Sequence, residues 1–229
     1  MTVLRFPADM AVGELHWEDD PQTRHWGHQL AIGTVEIPAG TAVQLNAGRP
    51  GEDAIDLAFI AGLPADSVRE LNFVGEIVPA SFALVAHLAP GLRSLSVYID
   101  DLGADAASVI AELTLLEHLS LAGNSLPEDG PSLRLDDHAL SVVANLPVLE
   151  SLTLLGGSYT ENGLQQLRHL LWLRHLHIER EELTAEMFQF ATAMPALRRL
   201  TGLDEFGDGP MPPAEVERVR VMLPHINMG

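Results

Sequence analysis

The chain has 229 residues, and its 13 arginines and no lysine stand against 32 acidic residues, which gives a formal charge of −19 at pH 7. Nucleic acids and anionic membranes need a basic surface, so this balance argues against both and favours a basic protein partner. The chain contains no cysteine, which excludes disulfides, thiolate metal sites and cysteine nucleophiles.

The same composition has a second explanation, because a GC-rich or salt-adapted genome would also produce an acidic chain without lysine. The first residues carry no apolar stretch of signal-peptide length, and no segment approaches the roughly 18 apolar residues of a membrane span. Together with the absence of cysteine, this predicts a cytoplasmic protein without a membrane partner.

The front of the chain, residues 1–52, differs in pattern from the rest. Thr34–Ile37 and residues 41–45 alternate between apolar and polar side chains on either side of a Pro-Ala-Gly turn, which predicts a β-hairpin. Trp17 and Trp26 lie before it in a stretch that we interpret as polar and rich in turns. We expect this β-rich segment to cap the domain that follows and to have no function of its own.

Six segments after residue 52 follow the pattern L-x-x-L-x-L, and each predicts a short strand. They begin at residues 68, 92, 116, 149, 173 and 197, so four of the five spacings are 24 residues. The remaining spacing, 33 residues, equals one repeat plus nine residues, and we place this insertion at 127–135. The third segment continues as L-x-x-L-x-L-x-x-N-x-L through Asn124. Less regular turns are expected where other repeats have Asp100, Gly157 and Glu181.

The segments between these strands have apolar residues at helical spacing. We predict helices at 80–89, 105–113, 137–146, 161–170 and 185–194. Asp136, Thr160 and Thr184 are the expected N-caps, since their side-chain oxygens can accept from the first free N–H groups. An incomplete helix is expected at 53–61 and a final capping helix at 214–223.

The repeat resembles the leucine-rich repeat family over residues 53–229, in a 24-residue form, and the front segment resembles the β-rich flank of some bacterial members. The resemblance implies an α/β solenoid with a curved parallel sheet inside and helices on the convex side. It implies two parts, a capping segment at 1–52 and a solenoid at 53–229. It also implies that the concave face binds another protein.

Side chains alternate along a strand, so the residues between the apolar positions are expected on the concave face. They form three columns with one residue per repeat. The first column is Glu70, Ser94, His118, Ser151, His175 and Arg199, and the second is Asn72, Ser96, Ser120, Thr153, His177 and Thr201. The third, more apolar column is Val74, Tyr98, Ala122, Leu155, Glu179 and Leu203, with Tyr98 as its best anchor. All but Val74, Ala122, Thr201 and Leu203 are predicted to bind the partner.

Two groups on this face suggest chemistry. His175, His177 and Glu179 alternate along one strand, and the roughly 6.5–7 Å between alternate residues lets two imidazoles reach one zinc ion. A metal-dependent enzyme is therefore one alternative. Ser151 beside His175 suggests a nucleophile and a base, but acyl transfer also needs an orienting group and oxyanion donors, which an open sheet face does not supply.

Two further features concern surface charge. Arginines 168, 174, 180, 198 and 199 gather in the last third of the chain, and we expect them to pair with Glu179, Glu181 and Glu182 more than to form a basic patch. The insertion at 127–135 begins with acidic and turn residues, which suits a partner contact and a tolerated loop equally well.

The sequence thus predicts a non-enzymatic protein-binding module without a cofactor, catalytic residue or resident metal. In a sharper version it is an acidic inhibitor or immunity-type protein that neutralises a basic partner. The alternatives are a metal-dependent enzyme built on His175, His177 and Glu179, and a structural or assembly role through the exposed edges of the solenoid.

Overall fold

A computed structural model describes residues 1–20, 25–48, 53–98, 105–123, 135–180, 182–203 and 211–228. It divides the chain into two compact units, Met1–Tyr98 and Ile99–Gly229. Each unit is mixed α/β, with parallel strands joined by helical segments. Asn124, Asp100, Glu181 and most of the predicted insertion lie outside the described residues. No helix within the described ranges is both long enough and apolar enough to cross a membrane.

The first unit contains seven strands in its described part. They are β1 (Thr2–Arg5), β2 (Gly13–Asp20), β3 (His25–Leu30), β4 (Thr34–Ile37), β5 (Val43–Ala47), β6 (Glu70–Phe73) and β7 (Ser94–Tyr98). β5, β6 and β7 are parallel neighbours in one sheet, and β2 and β3 extend that sheet as antiparallel strands beyond β5. β1 and β4 form a separate antiparallel pair.

The predicted hairpin of β4 with β5 is wrong. Both strands exist, but β4 pairs with β1, while β5 lies between β2 and β6, with Leu45 opposite Leu15 on one side and Leu71 on the other. An alternating pattern shows which face of a strand is buried and does not show which strand lies beside it. The placement of Trp17 in a polar, turn-rich stretch is also wrong, since this side chain is buried in β2.

The second unit has five parallel strands in sequence order across its described part. They are β8 (His118–Ala122), β9 (Ser151–Leu155), β10 (His175–Glu179), β11 (Arg199–Thr201) and β12 (Asn227–Met228). Leu152, Leu176 and Leu200 lie side by side in register, so neighbouring strands place equivalent residues of the 24-residue pattern next to each other. These leucines are fully buried and form one wall of the core.

β11 is shorter than predicted, because it ends at Thr201. Gly202 follows with a φ of +88°, a left-handed conformation that favours glycine. A Cβ atom at this position would lie 2.2 Å from the carbonyl oxygen of Ile178 on β10. The glycine therefore allows the chain to leave the sheet while it passes close to the neighbouring strand.

The predicted helices are present with a mixed geometry. The α-helices are α1 (Asp105–Glu112), α2 (Asp137–Val143), α3 (Glu161–Gln166) and α4 (Pro213–Met222), and the 3₁₀ helices are Leu57–Gly62, Pro79–Leu88, Leu167–His169 and Ala185–Ala193. A 3₁₀ helix rises about 2.0 Å per residue against about 1.5 Å for an α-helix, so it spans the same distance with fewer residues. The 24-residue repeat therefore tolerates either form.

Two of the three predicted N-caps are confirmed. Asp136 accepts a hydrogen bond from the Ala139 N–H at 3.0 Å, and Thr160 accepts from the Asn162 N–H at 3.1 Å. Thr184 makes no such bond. The Ala185 N–H instead donates to Glu215 of α4 at 2.9 Å, so a carboxylate from another helix replaces the cap.

That carboxylate belongs to a small ion network between Ala185–Ala193 and α4. Arg218 donates to Glu215 at 2.8 Å and also to Glu186. The Ala185 N–H, followed by the Arg218 guanidinium, holds the pKa of Glu215 below its usual value. The pKa of Glu186 is lowered chiefly by its hydrogen bond from Arg218. Both carboxylates are therefore ionised at neutral pH.

Candidate functional site

The strands of the second unit place the predicted columns in straight rows. His118, Ser151, His175 and Arg199 lie side by side across β8 to β11. Ser120, Thr153, His177 and Thr201 form the row below, in which each side chain is half-buried. The two predicted columns are thus brought together on one face, opposite the buried leucines.

A shallow depression of about 270 Å³ lies on this face. Its polar lining comes from three strands: Ser151 and Thr153 of β9, His175 and His177 of β10, and Arg199 and Thr201 of β11. Alternation along each strand aims these side chains outward. Leu152 and Leu176 lie between them at the floor, with their own side chains turned into the core. We call these six polar residues the β9–β11 cup.

His177 is the anchored member of the cup. Its Nδ1 lies 2.8 Å from the Thr201 hydroxyl oxygen, and its Nε2 lies 3.7 Å from a carboxylate oxygen of Glu179. Both ring nitrogens therefore have neighbours within the protein. Thr201 on β11 and Glu179 on β10 fix the plane of the ring.

Ser151, His175 and Arg199 are the unengaged members of the cup. None of these side chains has a hydrogen bond or ion pair with another residue in the described part of the chain. His175 and Arg199 are exposed, and Ser151 is half-buried. No other residue in the described ranges uses their hydrogen-bonding groups, so a ligand could engage them.

The metal alternative gains no support from this arrangement. Across the described ranges, no group of three or more His, Asp or Glu side chains gathers as a metal ion would require. The ring nitrogens of His177 lie close to Thr201 and Glu179, and His175 makes no hydrogen bond or ion pair with these three residues. Ser151 and His175 are lateral neighbours as predicted, but no hydrogen bond links them.

The predicted pairing of the arginines with glutamates of the same segment is wrong for two of them. Arg174 pairs with Glu150 at 3.6 Å, and Arg198 donates to the carbonyl oxygens of Pro195 and Leu197, each at 2.9 Å. Lateral neighbours on adjacent strands are only about 4.8 Å apart, so Arg174 meets Glu150 first.

Arg180 packs against Tyr159. It donates a hydrogen bond to the Tyr159 carbonyl oxygen, and its guanidinium carbon lies 4.8 Å from the centre of the Tyr159 ring. This geometry allows a cation–π interaction. Arg180 is therefore held beneath the turn after β9 and is not part of the cup.

The third predicted column does not form one open surface. Val74 is exposed, whereas Ala122 and Leu203 are buried and offer little surface to a partner. Ala122 lies in register with Leu155, and Leu203 follows the left-handed Gly202, beyond the end of β11. Leu155 is half-buried and Glu179 is exposed. Tyr98 ends β7, and its side chain lies outside the described residues.

In the first unit the predicted residues also form rows. Glu70 lies beside Ser94, and Asn72 lies beside Ser96, on β6 and β7. Asn72 donates through its side-chain amide to the Asn46 side-chain oxygen of β5 at 3.0 Å. The polar rows therefore continue onto a strand that the sequence reasoning assigned to a cap.

Five residues of this face were missed: Glu14 and His16 of β2, His28 of β3, and Gln44 and Asn46 of β5. Gln44 donates to Asn46 at 3.0 Å, and the rings of His16 and His28 stack with centroids 6.3 Å apart. The alternation of polar and apolar residues in β2 and β5 was visible in the sequence. These segments lack the 24-residue step, so the repeat pattern does not include them.

No model of a protein family matches the chain. No curated protein matches it significantly.

Proposed function

We propose that this chain is a non-enzymatic protein-binding module of the leucine-rich repeat type, with a partner held against its open sheet face. The observation that carries the proposal is the β9–β11 cup, where Ser151, His175 and Arg199 face outward without engaging other described residues. Binding faces display such groups, since they form hydrogen bonds only when the partner arrives. The 24-residue step and the leucine row support a solenoid of this class.

The charge of the chain favours a basic partner. A net charge of −19 attracts a basic protein over a distance of about one Debye length, near 8 Å at physiological salt, and raises the rate of association. An inhibitor or immunity-type protein that neutralises a basic target fits this charge, and a cysteine-free chain fits a reducing compartment such as the cytoplasm.

The test compares two variants that add the same charge in different places. Thr153→Arg places a large side chain inside the β9–β11 cup, whereas Asn162→Arg places it on the exposed surface of α3. Both are used with the wild-type chain to capture partners from the native host, and the captured protein is then purified and titrated. We expect Thr153→Arg to weaken binding of that protein at least about tenfold and Asn162→Arg to leave it within about twofold.

Salt provides the second measurement. If the net charge steers association, raising the salt from about 50 to about 300 mM should lower the association rate of the purified partner by about tenfold or more. If Thr153→Arg and Asn162→Arg lowered the affinity for the purified partner equally, the partner would not use this face. A partner that is itself acidic, or an association rate that does not respond to salt, would contradict the basic-partner proposal.

A further inference from the structure

We infer that the β9–β11 cup is a seat for a single carboxylate group that the partner presents. This inference rests on the proposed function and specifies the chemistry at one point of the interface. The cup is lined by three hydroxyl groups, two imidazoles and one guanidinium, and none of its lining residues is acidic. Side chains of these types can donate hydrogen bonds to an oxyanion. His177 and Thr201 are engaged with each other, which leaves Ser151, Thr153, His175 and Arg199 as the donors for a ligand.

Arg199 is the strongest donor in the cup. A guanidinium presents a planar fork of N–H groups that matches the two oxygens of a carboxylate. Arg174 and Arg198 are engaged with Glu150 and with backbone carbonyls, but Arg199 has no such partner in the described part of the chain. Among the described residues its positive charge therefore has no acidic partner, and β11 aims it outward.

Ser151 and His175 extend the donor row. His175 lies between Ser151 and Arg199, and neighbouring strands are about 4.8 Å apart, so the three side chains lie side by side across about 10 Å of the sheet. In a neutral imidazole one ring N–H can still donate, so the row does not need a protonated histidine. A carboxylate above His175 would reach donors on both sides.

The charge near the cup favours a carboxylate over a phosphate. Glu179 stands at the rim with 62% of its side chain exposed, and its carboxylate lies 3.7 Å from His177. The whole chain carries −19. For a doubly charged phosphate the attraction to Arg199 and the repulsion from the acidic groups both double, because the Coulomb energy scales with the charge of the ligand. Since the chain carries a large excess of acidic groups, the singly charged carboxylate is favoured.

A carboxylate seat is compatible with a partner that is basic overall. The net charge would attract the partner from a distance, and one acidic side chain placed opposite Arg199 would fix its position on the face. A basic protein without that acidic group would leave the guanidinium buried and unpaired on binding, which is costly. The cup would therefore discriminate among basic proteins.

The experiment uses the full chain and sodium acetate as the carboxylate probe. Imidazole NMR signals of His175 and His177 are followed at constant pH during titration with acetate, with inorganic phosphate, and with sodium chloride at matched ionic strength. We expect saturable shifts with acetate that chloride does not produce. Arg199→Gln should weaken the acetate response about tenfold, as expected for the loss of a charge-assisted hydrogen bond.

Arg198→Gln is the matched control, because it removes the same charge one residue away from a side chain that bonds to backbone carbonyls. It should leave the acetate response unchanged, and Arg199→Lys, which keeps the charge but loses the fork, should be intermediate. The inference is overturned if acetate behaves as chloride does, if only phosphate gives saturable shifts, or if the two glutamine variants weaken acetate equally.

These outcomes are separable from those of the proposed function. If acetate fails to bind but Thr153→Arg still removes capture of the protein partner, the face binds a partner and the carboxylate seat is wrong. If acetate binds through Arg199 and capture is indifferent to Thr153→Arg, the seat exists and the protein-binding proposal is wrong.

Discussion

Replacing Tyr159 with phenylalanine should stabilise the protein. The side chain is only 1% exposed, and its hydroxyl has no hydrogen-bond partner among the described residues. Burial of the ring raises the pKa of this hydroxyl, and the nearby Arg180 guanidinium opposes that shift only in part. The hydroxyl is therefore uncharged and has no partner among the described residues, and a buried hydroxyl without a partner costs about 1–3 kcal/mol in folded proteins.

Tyr159→Phe removes the hydroxyl and keeps the ring beneath Arg180. We expect the free energy of unfolding to rise by about 1 kcal/mol, which corresponds to about 2–4 °C in Tm for a chain of this size. Tyr159→Leu is the matched variant, because it also removes the ring and should lower stability by about 2 kcal/mol. Urea unfolding followed by circular dichroism measures the free energy of unfolding of both variants.

A loss of stability above about 0.5 kcal/mol in Tyr159→Phe would refute this reasoning, because it would show that the hydroxyl makes a favourable hydrogen bond in the folded protein. A change in the urea dependence of the free energy would instead indicate an altered folded or unfolded state, and the two midpoints could not then be compared directly. Equal effects of the Phe and Leu variants would show that ring packing contributes nothing.

Three further predictions concern stability. The Asp137 carboxylate accepts hydrogen bonds from the Thr160 N–H at 2.6 Å and from the Thr160 hydroxyl at 2.7 Å. Asp137→Ala should therefore lower the free energy of unfolding by about 1–2 kcal/mol. Asp137→Asn should recover part of that loss. Gly202→Ala should lower the free energy of unfolding, measured in urea, by at least about 1 kcal/mol, because it combines a left-handed φ with a steric clash. Gly33→Ala should lower it less, because a Cβ atom there would meet no described atom within 4 Å. The ionised Glu215 carboxylate stabilises the folded state above its unfolded pKa of about 4.3, and this stabilisation is lost as the pH falls through its lowered folded pKa. On acidification below about pH 5, the Tm of Glu215→Gln should therefore fall less than the Tm of the wild type.

The repeat strands were predictable, because their apolar residues recur at a fixed step and one face of each strand is buried. Leu152, Leu176 and Leu200 illustrate this, since the 24-residue spacing read from the sequence is also the register of the strands. The polar rows follow from the same alternation. The strand partners of β4 and β5 could not be predicted, because both segments carry the same pattern and nothing local selects a neighbour.

The geometry inside the cup was only partly predictable. The columns indicated that His175 and His177 share a face, but their different roles depend on rotamers and on lateral neighbours. Thr201 and Glu179 engage the His177 ring, while His175 makes no such contact. The choice between α and 3₁₀ helices was likewise hidden, because both place apolar side chains every three to four residues.

In the sheet of the first unit, β5 lies between an antiparallel and a parallel neighbour, and this position opposes errors in its pairing register. Parallel strands with similar sequences could pair one residue out of step, and each such slip would turn a leucine towards water. β5 is held from two sides, with Leu45 opposite both Leu15 and Leu71. A slip of β5 would have to break two ladders of opposite direction at once, so β5 resists a change of register more strongly than a strand that is paired on one side only.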